Sequence, residues 1–137
     1  MTKKLLMIDD EVGLTKVVGL IAGHLGMEFR ALNTSPSATE VFVDYQPDIV
    51  IIDMIMPDKD GIDVLNEIML TGIPTQVVLT SGYSEAYLRL AEGVAKLHGH
   101  ERVHFLKKPF RRAELVELLK EITADPASSA SIDPTTS

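Results

Sequence analysis

The sequence predicts an α/β domain built on a parallel sheet with helices covering both faces. Three observations carry this reading. Short runs dense in Leu, Ile and Val recur along the chain, segments with helical apolar spacing lie between them, and the strand–helix alternation repeats five times. Unbroken apolar runs are the signature of strands buried on both faces. Parallel neighbours need crossover connections, which the intervening helices supply. A length of 137 residues suits one domain with a single core.

The elements follow in order. Leu5–Ile8 is the first strand. Leu14, Val17, Val18, Ile21 and Leu25 then recur at i, i+3, i+4, i+7 and i+11, one apolar stripe of a helix. A second strand is expected near Glu28–Leu32. Ala38, Val41, Phe42 and Tyr45 mark the second helix. The Ser35–Pro36 pair ahead of it matches an N-cap followed by Pro at the first helical position. Ile49–Ile52 is the third strand and 61–70 the third helix. Val77–Leu79 is the fourth strand, 85–98 the fourth helix, and Val103–Leu106 a weaker fifth strand. Leu115, Leu118, Leu119 and Ile122 give the last helical stripe. From Ala124 the chain reads ADPASSASIDPTTS, too poor in large apolar residues to offset its ordering entropy. Residues 124–137 are therefore expected to be a flexible tail on a domain spanning 1–123.

Composition removes several function classes. There is no cysteine, which excludes a disulfide framework, a thiol nucleophile and a Cys-type zinc site. A net charge of −7 opposes a nucleic-acid-binding surface, which needs a basic footprint. Two lysines precede the first apolar run, but that run is four residues long before Asp9 and Asp10 end it. A signal peptide needs roughly 7–15 apolar residues and a membrane span about 20. The expected location is the cytoplasm.

In an open parallel sheet, sites form at the carboxyl ends of the strands. Asp9, Asp10 and Glu11 follow the first apolar run, Asp53 the third, Thr80, Ser81 and Gly82 the fourth, and Lys107, Lys108 and Pro109 the fifth. Asp9, Asp10 and Asp53 would then meet a hydroxyl and the Lys108 ammonium at one edge. Like charges held close repel and raise one another's pKa. One lysine offsets one of three negative charges, and a divalent cation would bring the sum near zero. Hard carboxylate oxygens without His or Cys favour Mg²⁺. An Asp can act as a covalent nucleophile in phosphoryl transfer, with Mg²⁺ and Lys stabilising charge on the transferring oxygens.

Four stretches at these strand ends, LLMIDDE (5–11), PDIVIIDMIMPDKDGIDVL (47–65), VVLTSGY (77–83) and FLKKPF (105–110), resemble those of bacterial two-component response regulator receiver domains. The resemblance covers residues 4 to about 123. It implies a doubly wound (βα)₅ flavodoxin-like fold with strand order 2-1-3-4-5. It implies Asp53 as phosphoacceptor, Asp10 as a direct Mg²⁺ ligand, Asp9 acting through metal-bound water, and the Ile55 carbonyl completing the protein ligands. Ser81, followed by the small Gly82, corresponds to the switch hydroxyl, Lys108 to the phosphate-pairing lysine and Phe105 to the aromatic switch residue. The Lys108–Pro109 bond is expected to be cis. The implied partners are a sensor histidine kinase or a histidine phosphotransfer protein upstream and an unknown protein target downstream, with no nucleic acid and no membrane.

Two features depart from the family pattern. The stretch from Ser81 to Lys108 is several residues longer than in most receivers, so the fourth helix or its exit loop is expected to be extended. Phe105 lacks the hydroxyl of the common Tyr variant, which leaves packing as its only means of switching. Blander readings apply elsewhere. DKDGID (58–63) is not a calcium loop, because Met69 stands where a bidentate Glu belongs. His98, His100 and His104 lack an acidic partner pattern for a metal site, and Arg111 and Arg112 read as a solvated first turn.

The chain shows no output domain. It is expected to act alone or as a phosphate relay; the alternative is a receiver fragment of a longer regulator. A third reading is a Mg²⁺-dependent phosphohydrolase with an Asp nucleophile, as in haloacid-dehalogenase-like enzymes. Those need a second acid two residues after the nucleophile, where this chain has Ile55.

Overall fold

The structure is a computed structural model that describes residues 2–82, 85–97 and 102–124. Five strands, β1 (Lys4–Ile8), β2 (Glu28–Leu32), β3 (Ile49–Asp53), β4 (Gln76–Ser81) and β5 (Val103–Lys107), alternate with five helices. These are α1 (Val12–His24), α2 (Ala38–Tyr45), α3 (Gly61–Leu70), α4 (Glu85–Leu97) and α5 (Arg112–Thr123). The strands form one parallel sheet in the order 2-1-3-4-5. This is the expected doubly wound architecture.

Strand parity divides the core in two, because alternate residues face opposite sides of a sheet. Leu6, Ile8, Val50, Ile52, Val77 and Leu79 pack against Phe42 of α2 and Val64, Leu65 and Ile68 of α3. Leu5, Met7, Ile49, Ile51 and Val78 pack against Val18 and Ile21 of α1 and Leu115 and Leu119 of α5. In β1 and β3 both parities are buried, which is why those runs carry no polar break.

Two local expectations change. Val17 is 53% exposed. The sheet-facing arc of α1 is Leu14, Val18, Ile21, Ala22 and Leu25, and at about 100° per residue position 17 falls just beyond its edge. The Ser35–Pro36 pair does not cap α2. The helix begins at Ala38, and Ser37 at the N-cap makes no side-chain capping bond. Ser35 to Ala38 instead form a turn, closed by the Ala38 N–H donating to the Ser35 carbonyl at 3.0 Å. Pro36 occupies its second position, where a fixed φ is favourable. The fourth helix is described over Glu85–Leu97; residues 98–101, on which its expected last residue and exit fall, and the tail beyond Ala124 lie outside the described residues. Among the described residues no helix is long and apolar enough to cross a membrane.

Candidate functional site

Parity also builds the site. Asp9 continues the face of Leu5 and Met7, and Asp53 continues that of Ile49 and Ile51, so both carboxylates leave the sheet on the same side. Both are buried, Asp9 at 0% and Asp53 at 5% exposure. Asp10, one residue on, is exposed. Lys108 reaches over from the end of β5. Its Nζ lies 2.8 Å from Asp9 Oδ2, 2.7 Å from Glu11 Oε1 and 3.4 Å from Asp53 Oδ2. Its backbone N–H donates to the Ser81 carbonyl at 2.9 Å, and the Lys108–Pro109 bond is cis.

Backbone groups hold the two acids in place. The Ile55 N–H donates to Asp53 Oδ1 at 3.2 Å, and the Glu11 N–H donates to Asp9 Oδ1 at 2.9 Å. Asn33 donates from Nδ2 to the Asp9 carbonyl at 2.8 Å. The start of α3 presses on the end of β3. A Cβ on Gly61 would stand 2.2 Å from the Asp53 carbonyl oxygen and 2.6 Å from Met54 Cα. Only glycine permits that approach, and the Gly61 N–H donates to the Met54 carbonyl at 2.9 Å. The loop between β3 and α3 thereby lines an open cleft of about 550 Å³ with Ile55, Met56 and Pro57, opposite Asp10, Glu11 and Lys108.

Burial raises the Asp53 carboxyl from its ordinary 3.8 to about 6; the neighbouring Asp9 charge adds to the shift and Lys108 opposes it. For Lys108 burial acts to lower the pKa, but the Asp9, Glu11 and Asp53 carboxylates outweigh it and hold the ammonium above its usual range. One cation thus shares three acids.

Carboxylate oxygens of Asp9, Asp10 and Asp53 lie within 4.8 Å of one another. The donor set fits a hard divalent cation. Ligands of an octahedral ion with bonds near 2.1 Å stand about 3–4 Å apart, and a bridging water extends that reach. One buried atom also lacks a complete environment: Asp9 Oδ2 faces the lysine but takes no aligned hydrogen bond.

The remaining expected residues surround this centre. Ser81 is buried at the end of β4, in register with Lys107. Phe105 is half-buried on the α3 side of the core, in register with Leu79. Thr80 is the register partner of Asp53, and its hydroxyl is buried without a hydrogen-bond partner. His104 Nε2 pairs with Gln76 Oε1 at 2.9 Å; His98 and His100 lie outside the described residues. The sequence pattern leaves two residues without their roles: in it Glu11 is only an acid following a strand, and Gly61 only a helix start. The LLMIDDE run signalled the first, and a glycine directly after Asp60 the second.

The profile of the response regulator receiver domain matches residues 5–120. The chain belongs to this family. The receiver is 28% identical over 126 residues to the chemotaxis protein CheY of Thermotoga maritima, covering 90% of this chain and 99% of that one. It is 32% identical over 82 residues to the regulatory protein AtoC of Escherichia coli, covering 60% of this chain but 18% of that protein. Sporulation initiation phosphotransferase F of Bacillus subtilis is 28% identical over 86 residues, with 62% and 68% covered. Solved structures agree in fold. Vibrio cholerae chemotaxis protein CheY4 superimposes with a TM-score of 0.77 at 18% identity, covering 89% of this chain and 99% of that one. The signal receiver domain of a LuxO repressor protein from Vibrio parahaemolyticus does so at 0.74 and 24% identity, covering 94% and 98%. Receivers are signalling domains, and phosphorylation on an aspartate is generic to them.

Proposed function

We propose that this receiver accepts a phosphoryl group on Asp53, from a phosphohistidine of a sensor histidine kinase or histidine phosphotransfer protein, with Mg²⁺ held beside it. The observation that supports this most is the convergence of Lys108 on buried Asp53, next to Asp9 and Asp10, at the edge of an open cleft. An Asp53 oxygen attacks phosphorus, the P–N bond breaks, and its electron pair stays on the imidazole nitrogen. Asp10 and Asp53 would ligate Mg²⁺ directly, Asp9 through water, and the Ile55 carbonyl would complete the protein ligands. Bound there, the cation supplies charge stabilisation for the phosphoryl oxygens.

Lys108 then pairs with the new phosphoryl group and the Ser81 hydroxyl donates to it. Phe105, lying on the same sheet face as Ser81, repacks and alters a protein-interaction surface. Residues 1–123 form this switching unit. Its downstream target is a protein rather than nucleic acid, in keeping with the −7 net charge, and it works in the cytoplasm with its kinase.

Intact mass after incubation with acetyl phosphate and Mg²⁺ tests the assignment. One phosphoryl group should add to the wild type and none to Asp53→Asn. Asp10→Ala, or excess chelator with the wild type, should suppress labelling. Labelling of Asp53→Asn at a normal rate overturns the phosphoacceptor; unchanged labelling in chelator overturns the metal.

A further inference from the structure

Lys108 has three N–H donors, and three carboxylates face them. Glu11 makes the shortest approach, a hydrogen bond of 2.7 Å to Oε1. Asp9 follows at 2.8 Å, and Asp53, the group that the proposed chemistry needs the lysine to serve, stands farthest at 3.4 Å. Glu11 also differs in kind. It lies outside the Asp9, Asp10 and Asp53 cluster. Its side chain is 60% exposed, on the rim of the cleft at the N-cap of α1. Its carboxylate therefore belongs neither to the core nor to the cation-binding set.

We infer that Glu11 is a positioning residue that draws the Lys108 ammonium away from Asp53 in the unphosphorylated protein, so that a phosphoryl group on Asp53 must compete with it to draw the lysine in. The inference rests on the reading of Asp53 as phosphoacceptor. The lysine backbone is fixed by its bond to the Ser81 carbonyl, so the flexible stem sets which acid the head group meets. A phosphoryl oxygen and the Glu11 carboxylate are both strong acceptors for the same charged group, and a head group held at 2.7 Å from Glu11 on the rim stands 3.4 Å from Asp53. The unphosphorylated state thus has a competitor built into the rim, while Asp9 and Asp53 remain fixed by backbone donors. Because the Glu11 end of the pair is open to solvent, its pull is modest, a few-fold in an equilibrium constant.

The test is a mutant cycle on the full chain, read by NMR titration with beryllofluoride, a phosphoryl mimic, at fixed Mg²⁺. Glu11→Gln should tighten beryllofluoride binding about two- to fivefold. Glu11→Asp keeps the charge but is one methylene short of the lysine, and should shift the same way. In a Lys108→Ala background, Glu11→Gln should have no effect, because the residue it acts through is gone. An equal gain in both backgrounds would mean general charge repulsion and overturn the inference. So would an unchanged affinity for Glu11→Gln, or a Glu11→Asp variant that behaves as wild type. The mass experiment on Asp53→Asn is independent of this cycle. Labelling there would remove the phosphoacceptor reading, whereas an additive cycle on a protein phosphorylated at Asp53 removes the Glu11 role alone.

Discussion

Leu5 to Ile8 of β1 and Ile49 to Ile52 of β3 are at most 1% exposed, and one residue farther along the same strands Asp9 and Asp53 are buried nearly as deeply. The backbone treats both regions alike, with the same strands and the same parity. The physics differs. Burying an aliphatic side chain stabilises by roughly 1.5–3 kcal/mol, whereas burying a carboxylate is unfavourable unless it is paired. Burial at each position is thus set by the fold, and the chemistry placed there decides whether the position serves stability or function. The sheet centre supplies the stability that lets its carboxyl edge hold two acids against one shared lysine.

The largest expected effect lies in the centre. Ile51→Ala removes a side chain packed between the sheet and the α1–α5 layer and should lose about 2–5 kcal/mol in urea unfolding. A loss comparable with that of a surface substitution would mean the centre is not the stabilising region, and the contrast would collapse.

At the edge the sign should reverse. Asp53 has a folded pKa raised from 3.8 to about 6. Between those values the folded state keeps a proton that the unfolded chain releases, so the group's contribution to stability falls as pH rises through this window and levels off above it. Asp53→Asn carries no such burden. In chelator at pH 7.5 it should be more stable than the wild type by about 1–3 kcal/mol, with the gap narrowing towards pH 4–5. Mg²⁺ should narrow it too, by stabilising the wild type alone. A variant equally stable at every pH would show that Lys108 already compensates the buried charge in full.

The same contrast explains what the sequence disclosed. Strands buried on both faces leave unbroken apolar runs, so β1, β3 and β4 were plain. Their lateral order was not, because periodicity says nothing about neighbours; it came from the family resemblance. The acids at the strand ends stood out because charge directly after a buried run is anomalous. The structure departs from the sequence pattern where a few ångströms or a few degrees decide. Val17 misses the buried arc of α1 by a fraction of a turn, and Pro36 suits a tight turn as well as it suits a helix start. The Glu11–Lys108 bond joins residues 97 positions apart through two flexible side chains, and no linear pattern encodes it. Gly61 was readable as a helix start, but its reason, the Asp53 carbonyl against it, is tertiary.

The smallest expected effect concerns how long the edge keeps its phosphate. Hydrolysis of an aspartyl phosphate needs water in line with phosphorus, opposite the Asp53 oxygen. Ile55 is half-buried and lines the cleft beside Asp53, and it offers no polar side-chain atom to hold that water. Tyr83 lies outside the described residues; its bulk, two positions after Ser81, is expected to act in the same direction. Because phosphoryl transfer depends on positioning, a poorly held water should give a long-lived phospho-form. Ile55→Asn should speed phosphate loss after donor removal by a few-fold. Adding Tyr83→Glu should bring the gain to about tenfold, roughly 1.4 kcal/mol in the barrier. Both variants leave the sheet centre untouched, so their unfolding midpoints should stay near that of the wild type. Loss of phosphate from the wild type within seconds, or a double variant no faster than the wild type, would show that water reaches the phosphorus by a route Ile55 does not control.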